Sequence, residues 1–143
     1  MLRRWLMGVL ALGLVGSAAE LLLLNHYEDA LQLVPLGLFA VAGSVLLWHG
    51  KRRDAASVRA IQATMLLFIA AGCAGIGLHF RGAAEFQLEI NPAQPRWELV
   101  AKAMRTQAPP LLAPGIMLQL GLVGLVYAYR HPASGRPDPP FME

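Results

Sequence analysis

The chain is poor in the residues with which soluble enzymes and nucleic-acid-binding domains do their work. Of its 143 residues one is cysteine, and charged residues make up only 15%. An internal disulfide is therefore excluded, and Cys73, set among small residues, reads as a packing residue. No HExxH, CxxC or HxxxH spacing, phosphate-binding glycine loop or dinucleotide fingerprint occurs, which removes the usual sequence grounds for an enzyme. Basic residues are not interleaved with aromatics, so the formal charge of +3 does not point to nucleic acid. Long polar stretches are scarce as well, and the 56% hydrophobic content is gathered into blocks.

Those blocks predict an all-α integral membrane protein, a four-transmembrane-helix bundle with one domain. Trp5 to Leu24, Leu33 to His49, Ala60 to Phe80 and Pro110 to Tyr129 are each roughly 17 to 21 residues, enough to cross a hydrocarbon core of about 30 Å. Arg3 and Arg4 ahead of Ser17, Ala18 and Ala19 resemble a signal peptide. The apolar run resumes at Leu21, however, and favours a retained span. The outer loop from Arg81 to Ala108 and Pro109 contains an alternating segment, Glu85 to Ile90, compatible with a strand or with a longer third helix. After it, Pro95 to Met104 places Trp97, Val100 and Met104 on one stripe, predicting a short amphipathic helix on the outer surface. Gly82 is read as the cap ending the third helix. The proline-rich tail from His131 to Glu143 is expected to be disordered and cytoplasmic.

Charge sets the threading. Arg3, Arg4, Lys51, Arg52, Arg53, Arg59, Arg130 and Arg136 fall on one side, against Arg81, Arg96, Lys102 and Arg105 on the other. The positive-inside rule then puts both termini in the cytoplasm, in a bacterial inner membrane if the source is bacterial. Glu28, Asp29, Glu85, Glu89 and Glu98 lie on the opposite, acidic face.

Within the first span the exception is Glu20, a carboxylate in an otherwise apolar run, and intramembrane ionisable groups mark functional sites. It shares a helical stripe with Gly13, Gly16 and Ser17, while His79 shares one with Phe68, Gly72 and Gly75, so both are expected to face inward. The candidate site is an outer-rim constellation of Glu20, His26, Glu28, Asp29, His79 and Glu85, with Arg81 pairing to an acid beside it. Imidazoles with carboxylates suit a divalent metal, which makes His26, His79 and Glu20 the candidate ligands. Alternatively, Glu20 and His79 would pass protons. A haem held by His26 and His79, with His49 and His131 at the inner rim, is disfavoured because His131 sits outside any helix interior. The sequence thus predicts an accessory or structural membrane subunit that docks a homo-oligomeric or other membrane partner. Its alternative is a proton- or cation-binding transport protein.

Overall fold

The computed structural model describes residues 1–25, 28–105 and 112–134. Its elements are α1 (Leu2–Leu23), α2 (Ala30–Arg52), α3 (Ala55–Ile90), α4 (Arg96–Met104), α5 (Leu112–Ala128) and a 3-10 turn, Pro132–Ser134. Among the described residues there is no strand. Helices α1, α2 and α3 are long and apolar enough to cross a membrane, whereas the apolar part of α5, Pro114–Ala128, is shorter. His26, Tyr27, residues 106–111 and the tail from Gly135 lie outside the description. The expectation of a disordered tail from His131 is corrected for residues 131–134, where Pro132–Ser134 forms the 3-10 turn and the Ser134 Oγ donates to the His131 carbonyl at 2.6 Å; the rest of that expectation falls outside the described residues.

Each boundary has a local cause. Asn25 ends the first helix with φ 53°, a left-handed conformation that asparagine tolerates better than most residues. Helix α2 opens where the Gln32 Oε1 accepts the N–H groups of Glu28 (2.9 Å) and Asp29 (3.3 Å). It closes at Arg53, in the left-handed region at φ 49°. Asp54 then starts α3 as a cap, its Oδ1 accepting the Ser57 N–H at 2.8 Å while the Ser57 Oγ accepts the Asp54 N–H at 3.2 Å. This is a capping box with serine in the position usually held by glutamate.

Helix α3 corrects the sequence reading most. It does not leave at Gly82 but continues as helix through Glu85 to Ile90, resolving the alternating segment as helical. A glycine costs a helix only about 1 kcal/mol, and Ala83 and Ala84 follow it. Arg81 Nε donates to Glu85 Oε1 at 2.7 Å one turn on, an i,i+4 pair that favours continuation. Termination waits for Asn91 and Pro92, where the residue before proline is driven out of the helical region. Helix α4 follows the expected bounds, with Pro95 as its N-cap and Trp97 75% exposed.

Two compact units divide the chain, Met1–Leu67 with Leu120–Glu143, and Phe68–Gln119. In the first, Leu10, Leu14, Phe39, Ala42, Val58, Ile61 and Met65 form the core, and the end of α5 enters it through Leu120, Tyr127 and Ala128. A side chain at Gly124 would run into Met65, so glycine is what lets α5 come this close. In the second unit, Gly72 is buried against α5, where a Cβ would stand 2.9 Å from both the Pro114 carbonyl oxygen and the Leu118 nitrogen. Most of the remaining helix surface is apolar and uncovered: Leu12 is 75% exposed, Val15 70% and Leu23 83%. Patches of that extent do not belong in water, and they match a lipid-facing surface.

Gly72→Ala is expected to destabilise the fold by about 1 to 3 kcal/mol, because backbone atoms rather than a flexible side chain must give way. Gly43, with open space where a Cβ would go, serves as control. Thermal unfolding in detergent should show a lowered Tm for Gly72→Ala and no loss for Gly43→Ala.

Candidate functional site

Of the residues expected at an outer-rim site, Glu20 and His79 depart from the sequence reading in their exposure, while Arg81 pairs with an acid as expected. Glu20 is exposed and does not face inward, and the same holds for Gly16 on its stripe. That stripe is packed lower down, where Gly13 meets Leu120; one turn further on, a Cβ at Gly16 would meet nothing within 4 Å among the described residues. In the second unit Phe68 and Gly72 are buried as expected, but His79 on the same stripe is exposed. Helical phase identified the right faces but not how far along them the packing extends. Glu28, Asp29 and Glu85 are exposed, Arg81 pairs with Glu85, and His26 lies outside the described residues. Among the described residues no three His, Cys, Asp or Glu side chains gather as a metal site would require.

The most densely built polar structure is elsewhere, at the rim where α1 begins and α2 and α5 end. His49, in the last turn of α2, is 2% exposed and engaged at both ring nitrogens. Its Nδ1 lies 2.8 Å from the Ser57 Oγ and its Nε2 2.8 Å from the Tyr127 hydroxyl. The Ser57 hydroxyl donates to the Asp54 carbonyl at 2.8 Å. That choice makes Nδ1–H the donor to Ser57 and leaves Nε2 to accept from Tyr127, a neutral tautomer with every valence used. Neither nitrogen is then open to iron, which removes His49 as a haem ligand without rearrangement.

His131 completes the cluster, its ring centroid 5.0 Å from that of His49 and 5.2 Å from that of Tyr127. The Ala133 N–H donates to its Nδ1 at 3.2 Å, so this nitrogen is an acceptor. Burial lowers the His131 pKa below the ordinary 6.5, helped by the nearby His49, Arg3 and Arg53. Arg3, from the first turn of α1, donates from Nη1 to the carbonyls of Tyr127 (2.8 Å) and Tyr129 (3.2 Å) and from Nη2 to that of Arg130 (2.9 Å). Those carbonyls belong to the end of α5, where unpaired acceptors and the helix dipole both favour a cation.

Arg3, Arg4, His49, Arg53, Tyr127 and His131 border a cavity of about 380 Å³. Its charged residues are all basic, and Met7 and Gly50 supply the remaining wall. The nearest acid in sequence, Asp54, spends Oδ1 on the α3 cap and is not part of the lining. The backbone and side-chain hydrogen bonds from Ser57 hold the Asp54 carboxyl below its usual range.

In sequence, Tyr127 has a sufficient reading as one of the aromatic residues of an inner-boundary belt, and His131 is set aside for lying outside any helix interior. The available signal was the Asp54 to Ser57 capping spacing, which fixes a serine in the first turn of α3, eight residues after His49. No protein-family description, curated protein or solved structure matches this chain. Among the described residues the regular structure is all helical, with three helices long and apolar enough to cross a membrane.

Tyr127→Phe should leave the buried His49 nitrogen unpaired and cost about 1 to 3 kcal/mol, read as a lowered Tm. The His131 shift sets a second expectation. Because the folded pKa lies below 6.5, the unfolded chain takes up the proton first as pH falls, so stability is greatest above about 6.5 and declines below it. A Tm series from pH 7.5 to 5 should show that decline, and His131→Gln should flatten it.

Proposed function

We propose that the protein is a small multi-pass membrane subunit, without catalytic chemistry of its own, whose α1 face docks another membrane protein. The observation that carries this reading is Glu20: a carboxylate on an exposed face of an apolar helix, with no hydrogen bond or ion pair among the described residues. Charged side chains in spanning segments are costly, at about 2.5 to 3.5 kcal/mol by insertion measurements at a helix centre, and they are found against protein or water rather than lipid. Gly16, one turn before Glu20 and with open space above it, lets a second helix approach closely at that level. A donor on the partner's helix would satisfy the carboxyl group.

The same reading has α5 as a fourth span and both termini in the cytoplasm. The start of α1 and the end of α5 are joined by Arg3 at one rim, and His49 joins the end of α2 to that rim as well. Chain connectivity from the end of α2 through α3 back to this rim then calls for two further crossings. Arg3, Arg4, Lys51, Arg52, Arg53 and Arg130, all at or beside these helix ends, agree with a cytoplasmic assignment.

Extracted from its native membrane in mild detergent, the protein should run as a particle whose protein mass exceeds the 15.5 kDa of one chain and includes a second polypeptide. Glu20→Leu should weaken that association by about 3- to 30-fold, the worth of one interhelical hydrogen bond. A particle holding only this chain would overturn the subunit reading. Stoichiometric divalent metal lost in Glu20→Gln would replace it with cation transport.

A further inference from the structure

We infer that the basic cavity beside His49 binds the phosphate of an anionic phospholipid, a site independent of the partner surface around Glu20. Three arginines line the cavity and no acid does, although the Asp54 carboxylate acts on His49 from outside the lining. Arg3 is anchored on the α5 carbonyls, which fixes its charge in place, while among the described residues neither Arg4 nor Arg53 has an ion pair. Guanidinium groups gathered around one open recess repel one another. A phosphate that accepts from two or three of them relieves this, and the planar donor fork suits its oxygens.

The backbone adds a second observation. Arg53 holds a left-handed conformation at φ 49°, and Arg130 does the same at φ 45°. Both follow helix ends, where glycine is the residue that adopts this conformation without strain. Two arginines at glycine positions on one rim indicate that charge is kept there at a conformational cost.

The lipid source, rather than soluble phosphate, follows from what adjoins the cavity. Arg4 also borders a neighbouring recess of about 400 Å³, lined by Met1, Trp5 and Gly8. Trp5 is 67% exposed, and a Cβ at Gly8 would meet nothing within 4 Å, so the recess is an open, mostly apolar shelf on α1. One residue therefore links a cationic cavity to an apolar shelf on the lipid-facing side. This order suits a headgroup phosphate followed by its glycerol and acyl chains. Basic pockets between helices at a membrane rim bind anionic headgroups in this way.

The experiment titrates the purified full chain in mild detergent, at fixed ionic strength, with phosphatidylglycerol, with phosphatidylcholine and with inorganic phosphate, reading bound lipid by native mass spectrometry and stability by Tm. Saturable uptake of phosphatidylglycerol with a rise in Tm is expected, with neither effect from phosphatidylcholine or millimolar phosphate. The double variant Arg4→Gln/Arg53→Gly should lower phosphatidylglycerol affinity at least tenfold. Arg53→Gly also relieves the backbone at that position, so loss of folding does not confound the result, and circular dichroism verifies it. Arg96→Gln/Arg105→Gln removes the same charge from α4 and its cap and should bind as wild type. Equal binding of the two lipids, unchanged affinity in Arg4→Gln/Arg53→Gly, or an equal loss in Arg96→Gln/Arg105→Gln would overturn the site. Stabilisation by inorganic phosphate alone would overturn the lipid assignment.

Discussion

His49 is the interaction on which the first unit depends. A buried imidazole at the end of one apolar helix must satisfy two nitrogens, and here each is satisfied by a different helix, α3 through Ser57 and α5 through Tyr127. In an apolar interior there is little else to specify how helices are rotated about their axes, because dispersion contacts between leucines tolerate many phases. A ring with two directional bonds does not. The serine that receives one bond is simultaneously the partner of Asp54 in the α3 capping box, so the helix start and the ring orientation are fixed together. Arg3 then extends the same logic to α1, tying its first turn to three carbonyls at the end of α5.

Much of the element order was readable because hydropathy is a strong, one-dimensional signal. The first three apolar blocks became α1, α2 and α3, and Pro95 did start a short helix as its fixed φ suggests. Helix ends were less readable. Gly82 looked like a terminus because glycine often is one, yet the Arg81–Glu85 pair and two alanines carry the helix past it. Inward faces were half readable. Periodicity reports the angle of a residue about its helix, and Gly13 and Gly72 do pack as expected, but how far along the helix a neighbour stays in contact is a property of the whole chain. Glu20 and His79 are exposed.

The rim cluster was hidden for a related reason. Its members, Arg3, His49, Ser57, Tyr127 and His131, come from five separate stretches, and each has a sufficient local explanation: topology, helix dipole, capping, aromatic belt, loop. Only their convergence is unusual. By contrast, Glu20 stood out in sequence because its immediate neighbours are apolar, a contrast that is local and visible without tertiary structure.

The length of α3 has a mechanical side. Of its 36 residues about 20 are enough to cross a bilayer core, so in a bilayer a helix of this length would carry its own internal hydrogen bonds well past the point where hydrocarbon gives way to water. A segment built this way has no single exit residue. Thickening or thinning of the surrounding lipid can be met by a different stretch of the same rod sitting at the boundary, without any backbone group losing its partner.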